Sequence, residues 1–542
     1  MSEKILKVRI TNLAVELDDD RQLKKIIADY LKVDESKIKT VKIIRQALDA
    51  RRYRGAKIKF NYIVDVEIFG KVNFPHDKNI KVQGQCDERT IFEKILPSIK
   101  NPSSRRPVVI GFGPAGIFAA LTLASAGLQP IIFERGENID KRTATVEKFF
   151  GGGELDENSN IQFGEGGAGT FSDGKLTARS NDELIDSVLK IFVEAGAPKE
   201  ILYLHKPHIG TDKLRTAVKN IRQKIIKLGG EIHFNSRLTD IEISSGKISA
   251  IVINDSEKIP VDKIFVGIGH SARDTYEMFF NRGVEMEIKP FAVGVRIEHP
   301  QEFINKNQFG EDFKNPKLPN ADYMLTFKDT ETNRGAYSFC MCPGGIVVAA
   351  TSEKNRVVTN GMSNFLRNSG VANSALLVTV GAEDFKNFGR DVLCGMRFQR
   401  HFENLAFELG GKNYFAPVQT VGDFLNARAE SKNFLVNPTY PIGYKIANLH
   451  KCLPAEVSRT LENALKFFDS KIKNFSAVDV PITGIETRTS SPCRILRDKI
   501  SRESVNVEGF YPIGEGAGYA GGIMSSAIDG IKSAEKFLNQ RK

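Results

Sequence analysis

Hydrophobic and polar positions change period along the chain, and the changes predict its elements. Residues 6–10, 41–46 and 57–69 alternate as strands do, and residues 20–31 carry the three-to-four spacing of a helix. These elements predict a small α+β domain over residues 1–100. The segment 101–107, Asn-Pro-Ser-Ser-Arg-Arg-Pro, has the composition of a linker. From residue 108 the pattern becomes that of an α/β fold with short buried strands. Residues 108–110 and 131–133 are uncharged runs flanking a predicted helix over 117–126, which Gly127 ends. A longer amphipathic helix over 212–228 stops at Gly229-Gly230. Short strands follow at 231–234, 238–243, 248–253 and 263–267. The segment 291–480 has strands of its own at 292–297 and 346–350 and a helix over 454–468. A last strand at 509–514 leads into a final helix. The expected organisation is a split Rossmann-type nucleotide-binding domain, 108–290 and 481–542. An α/β cap or substrate domain, 291–480, is inserted into it.

The chemistry of that split domain is written in one turn. Gly111-Phe112-Gly113-Pro114-Ala115-Gly116 follows the strand and opens the helix, and Glu134-Arg135 stands just past the second strand. Gly111 permits a tight turn, Gly113 lets backbone approach a pyrophosphate, and Gly116 lets helix and strand pack closely. The pyrophosphate then lies on the helix N-terminus, where free N–H groups and the helix dipole favour an anion. Glu134 is placed to accept hydrogen bonds from ribose hydroxyls. Residues 107–133 carry no charge and are long enough to cross a bilayer. Their prolines and glycines, and the complete fingerprint within them, favour a doubly wound core instead.

Composition narrows the class. Of 542 residues, 41% are hydrophobic and 26% charged, as in ordinary globular proteins. The first residues are charged and lack an apolar signal core, and six cysteines are too few for a disulfide framework in a chain this long. Both point to a cytoplasmic setting. Net charge is +11, and residues 1–100 hold 22 Lys and Arg against 15 Asp and Glu, so +7 of it lies there. Such an excess leaves nucleic acid open as a partner of this domain, with residues 51–54, Arg-Arg-Tyr-Arg, as a phosphate-binding turn. A solvated basic surface is the commoner outcome.

Several stretches taken together carry a resemblance. They are 109–116, 163–176, 269–274, 289–300, Cys340-Met-Cys-Pro-Gly-Gly345 and Gly514-Glu-Gly-Ala-Gly-Tyr-Ala-Gly-Gly522. Across essentially its whole length the chain resembles the two-dinucleotide-fold flavoproteins, in particular a bacterial family of uncharacterised FAD-dependent dehydrogenases or oxidoreductases. The resemblance implies FAD as cofactor, with Gly111, Gly113, Pro114, Ala115, Gly116, Glu134 and Arg135 at its ADP end. It places the second flavoprotein motif at Gly514 and Glu515, with Gly518, Gly522 and Ile523 leading into the last helix. Many flavoproteins have Asp where this chain has Glu515. The five-glycine loop 163–176 offers Gly166, Gly167, Gly169, Thr170 and Ser172 as a surface against the cofactor, with Lys175 adding charge. A flexible exposed loop is the alternative. Gly269 ends the strand before His270.

A dedicated NAD(P)H domain would show a second GxGxxG turn. Gly267-Ile-Gly269 lacks its third glycine, which leaves NAD(P)H as at most a transient electron donor. Candidate catalytic groups are His270, Arg488 as a clamp for an anion, and the Cys340/Cys342 pair, which can cycle between dithiol and disulfide or serve only as core. No cysteine or histidine spacing calls for a metal. The function expected is an FAD-dependent oxidoreductase passing hydride or electrons through flavin N5 to or from a small molecule or an electron-transfer partner. A flavin-dependent RNA-modifying enzyme, a non-catalytic FAD-binding redox sensor and a flavin monooxygenase remain open. Oligomeric state is not legible.

Overall fold

The computed structural model describes residues 5–51, 57–70, 72–83, 92–93, 105–177 and 181–540. The basic residues 52–54 and the linker residues 101–104 lie outside the described residues. Strands Phe510–Pro512, Ile264–Val266, Val108–Ile110, Ile131–Phe133 and Glu231–His233 form, in that order, a five-stranded sheet, parallel throughout. Each strand is only three residues long, so alternation assigns its residues to two faces. Val109, Ile132, Phe265 and Tyr511 face helices Pro114–Ser125, Gly210–Lys227 and Ile523–Asn539. Val108, Ile110, Ile264 and Val266 face an antiparallel meander and helix Arg273–Asn281. Burial on both faces explains why the four strands other than the edge strand Glu231–His233 read as continuous apolar runs.

The second large unit is a seven-stranded sheet. Its order is Thr326–Asp329, Arg334–Cys342, Val371–Val380, Phe291–Pro300, Pro481–Glu486, Ala416–Thr420 and Tyr444–Ile446. The strand Pro481–Glu486 corrects the sequence reading. Residue 481 was the expected start of the returning nucleotide-binding segment, yet this strand lies inside the seven-stranded sheet, paired with Phe291–Pro300 and Ala416–Thr420. All six of its residues are buried; pairing on both edges, not any local signal, sets its allegiance.

Residues 5–83 supply a four-stranded antiparallel sheet, Ile38–Asp49, Lys59–Phe69, Ile5–Glu16 and Ile80–Gln83, with helix Leu23–Leu31 against it. This unit does not hang free. Gln46 exchanges backbone hydrogen bonds with Tyr203 and His205. Lys317 Nζ donates to the carbonyls of Leu17 and Asp19 and to Asp20. Leu17, Ile58 and Phe60 share the apolar core of the seven-stranded unit. Several of its cations are paired, among them Arg9 with Asp65 and Lys57 with Glu16 and Asp18. No described helix is long and apolar enough to cross a membrane.

Candidate active site

The turn after Val108–Ile110 is built as its glycines require. Gly111 has φ of 88°, and a Cβ there would come within 2.4 Å of the Gly267 carbonyl oxygen. A Cβ on Gly116 would sit 1.9 Å from the Gly111 carbonyl oxygen. Gly113 is different: its nearest neighbour, Gly167 Cα, would be 3.5 Å from a Cβ, an ordinary contact. The protein itself gives Gly113 little reason to be glycine, and the space beyond it is open. Gly113 is the N-cap of helix Pro114–Ser125, and no side chain caps it. No side chain therefore competes for its first-turn N–H groups, the arrangement that suits an anion.

That space is a cavity of about 1800 Å³. Gly111, Gly113, Pro114, Ala115, Glu134 and Arg135 line one end of it. Gly167, Gly169 and Ser172 line it from the glycine-rich loop, and Gly269, Glu515, Gly518, Gly522 and Ile523 at the second turn. His270, Cys340 and Arg488 also reach it. Gly116, Gly166, Thr170, Gly514 and Cys342, expected at the cofactor or in the chemistry, stand behind the wall. Gly166 N–H donates to Phe112 O at 2.8 Å, and Gly514 N–H donates to Asp529 at 2.7 Å. Thr170 and Cys342 are buried. These residues shape the site without facing it.

Glu134 also differs from expectation. Its carboxylate accepts N–H bonds from Phe112 at 2.6 Å, Gly136 at 2.9 Å and Gly164 at 3.0 Å. Three of its roughly four lone-pair sites are thus committed to backbone. It ties the turn to the glycine-rich loop, with limited capacity left for a ribose. Arg135 lies over the Phe163 ring, 4.3 Å from its centroid, and pairs with Asp274.

The glycine-rich loop is not the flexible surface segment that composition allowed. Arg142, fully buried on helix Ile139–Phe150, donates to the carbonyls of Asn160, Ile161, Gly164, Glu165 and Gly167. One guanidinium fixes five carbonyls of one loop. Sequence reasoning missed it, because an arginine on an amphipathic helix reads as solvent-facing. Tyr276 is a second missed positioning residue. Its hydroxyl donates to Gly516 O at 2.6 Å and lies 3.2 Å from Gly269 O, joining the two loops that cross at the far end.

Arg488 is not a free clamp. Its guanidinium donates to both oxygens of Glu403, at 3.0 and 2.8 Å, and to Ser352. Arg273 holds the same carboxylate at 2.6 and 2.8 Å. Two guanidinium groups on one buried carboxylate hold Glu403 well below the usual carboxylate range. His270 is buried, with Nδ1 2.9 Å from Ser271 Oγ. Burial, with Arg488 and Arg273 nearby, pulls its pKa down to about 3, so it is a neutral imidazole at physiological pH. Burial pushes Glu515 the other way, up to about 7, against the opposing pull of Lys289.

The lining suits an extended dinucleotide. An uncapped helix N-terminus stands at one end. Gly521 and Gly522, where a Cβ would meet no protein atom within 4 Å, precede the last helix at the other. Glu515 faces the space between.

A family model described as FAD-dependent protein, C-terminal domain-like, matches residues 290–489. That match ends just past Pro481–Glu486, in keeping with the strand's place in the seven-stranded sheet. A domain of unknown function matches residues 7–67. An uncharacterised protein of Clostridium beijerinckii is 50% identical over 546 residues, covering 99% of each chain. Among solved structures, the glycerol-3-phosphate dehydrogenase of Bacillus halodurans complexed with FAD is 12% identical. It covers 82% of this chain and 67% of its own, with a TM-score of 0.34. The L-proline dehydrogenase of P. horikoshii is 11% identical, covering 82% and 95%, with a TM-score of 0.33. Likeness at that level carries no argument about substrate.

Proposed function

Because the chain belongs to a family of uncharacterised FAD-dependent proteins, we propose that it is an FAD-dependent oxidoreductase. Its substrate is a small molecule held between the parallel sheet and the seven-stranded sheet. One observation carries the reading: a single cavity of about 1800 Å³ runs from the Gly111 turn past Glu515 to Cys340, Lys289 and the N-terminal unit. Ligand pockets of roughly 300–1,000 Å³ suffice for one drug-sized molecule, so this one has room for a dinucleotide and a second ligand together.

When bound, FAD supplies the oxidation and reduction chemistry. The chain's residues hold and shield it. The N-terminus of helix Pro114–Ser125 receives the phosphates, and Glu134 and Arg135 flank the adenosine end. The loop fixed by Arg142 forms one wall. Glu515 and the start of helix Ile523–Asn539 form the other end, where the helix dipole favours negative charge. His270, uncharged at neutral pH, serves as a hydrogen-bond partner in the cavity, not as a resident acid. Glu515 is the group suited to hold or release a proton near neutrality. Arg488, locked on Glu403, contributes fixed positive charge to the wall. No second nucleotide turn supports a dedicated NAD(P)H site.

The test is the visible spectrum of the purified protein, followed by anaerobic addition of NADH and then NADPH. An oxidised-flavin spectrum, with FAD released on denaturation, supports the reading. Bleaching by either donor identifies a pyridine-nucleotide-fed reductase. A colourless protein that takes up no added FAD overturns the proposal.

A further inference from the structure

Cys340 and Cys342 lie where the strand Arg334–Cys342 loses its register. Pairing with Val371–Val380 is regular as far as Phe339 opposite Ala375 and resumes only at Cys342 opposite Asn373. At this bulge Cys340 has φ of 41°, in the left-handed region that disfavours a residue with a Cβ. Such a conformation persists where the surroundings hold it. Here Cys340 O accepts from Arg296 Nη1 at 3.0 Å and from Cys342 Sγ at 3.2 Å. Arg296 is in turn fixed on Glu486 at 2.5 Å.

On a regular strand the two side chains would share one face. The bulge separates their environments instead. Cys342 is fully buried, whereas Cys340 is half-buried and lines the cavity. Lys175, also on the cavity wall, bonds the intervening carbonyl of Met341. The neighbouring Cys342 side chain and the charges of Lys175 and Arg296 lower the pKa of Cys340. Cys340 and burial raise that of Cys342. An open, low-pKa thiol beside a shielded one is the division between an attacking and a resolving cysteine.

We propose that Cys340 and Cys342 are a redox-active dithiol that exchanges with low-molecular-weight, anionic disulfides entering the cavity. The inference goes beyond the flavin reading and needs no electron from the flavin. The interior position of Cys340 admits small disulfides and excludes folded protein partners. Lys175 and Lys289 on the same wall favour carboxylate-bearing ones. The Cys340 thiolate attacks one sulfur of the disulfide. The S–S bond breaks, one thiolate leaves and takes up a proton, and a mixed disulfide remains on Cys340. Cys342 loses its proton and attacks the Cys340 sulfur, and the second thiol leaves. The substrate disulfide gains two electrons, which the cysteine pair loses, and two protons, one from Cys342 and one from solvent, where Cys340 released its own on ionising.

The reduced full-length protein is incubated with glutathione disulfide, quenched with iodoacetamide and mapped by peptide mass. In the wild type a Cys340–Cys342 disulfide is expected. Cys342→Ser should accumulate one glutathione on Cys340, and Cys340→Ser none on Cys342. In the native protein, iodoacetamide should modify Cys340 at least ~10-fold faster than Cys394, Cys452 and Cys493, all of them buried. A Cys340 that stays unmodified until the protein is unfolded overturns the proposal. The wild-type arm needs no variant, so a substitution that fails to fold leaves the test decisive. Flavin absorbance read on the same sample separates the two readings: inert thiols in a flavin-loaded protein sink this proposal alone.

Discussion

Gly113 and Gly111 show how two glycines of one motif differ. Gly111 is required by the protein's own backbone, through its positive φ and the Gly267 carbonyl. Gly113 has protein space for a methyl group, so Gly113→Ala should fold normally and lose cofactor. An extra methyl in a close contact costs about 1–3 kcal/mol, which predicts roughly 5- to 150-fold weaker FAD binding. Unchanged FAD affinity in that variant would remove Gly113 from the site. Glu515 carries a second prediction at this scale. Its folded pKa, about 7, exceeds its ordinary value of 4.5. Its contribution to stability is therefore fully present below 4.5 and is lost as pH rises through 7. Relative to Glu515→Gln, the wild type should lose up to about 1.4 kcal/mol per pH unit across that window. Glu298 and His270 titrate in both proteins, so the difference between the two unfolding curves isolates Glu515. A pH-independent difference would show that Glu515 is solvated.

At the scale of elements, Glu403 is the junction. It lies on helix Cys394–Gly410 and receives Arg273 from helix Arg273–Asn281 and Arg488 from the segment after Pro481–Glu486. Three separate stretches of chain meet on one carboxylate. Removing that charge leaves two guanidinium groups facing each other in a buried site. Glu403→Gln should destabilise the fold by about 3–5 kcal/mol, measured by urea unfolding; a midpoint unchanged from wild type would refute the role. Acid should act on the same cluster. Glu403 is held well below 4.5, and Glu353, beside Arg273, is held down to about 2. Their contribution is present above 4.5 and is lost as pH falls through the folded values.

For the whole molecule, the N-terminal unit is part of the cavity rather than an appendage. Gln46, Leu48, Ala50 and Phe60 line it, and Phe60 is also packed into the core of the seven-stranded unit. Phe60→Ala removes a ring from that wall and should cost about 3–5 kcal/mol. With flavin bound, it should also increase quenching of flavin fluorescence by iodide. Quenching equal to wild type would mean that this wall does not shield the cofactor.

The elements and the first nucleotide turn were legible because their causes are local. Periodicity over 117–126 and 212–228 marked helices, and glycine spacing marked the turn at Gly111. The strand and helix around Gly514 were legible in the same way, and only the flavin role of their turn came through resemblance. What stayed illegible depends on partners far apart in the chain. Arg142 clamps a loop about twenty residues away, Arg488 meets Glu403 across 85 residues, and Pro481–Glu486 gains its sheet from strands on both sides. Even the cysteine pair was legible only by its spacing, with a redox pair and plain core both open. The bulge that opens one thiol to the cavity and buries the other arises from pairing with Val371–Val380 and from Arg296. By itself the sequence determined the strand, glycine turn and helix start in succession, since each of these has a local cause. Which charges remain free to act was decided by tertiary structure alone, because burial and ion pairing exist only once distant segments meet.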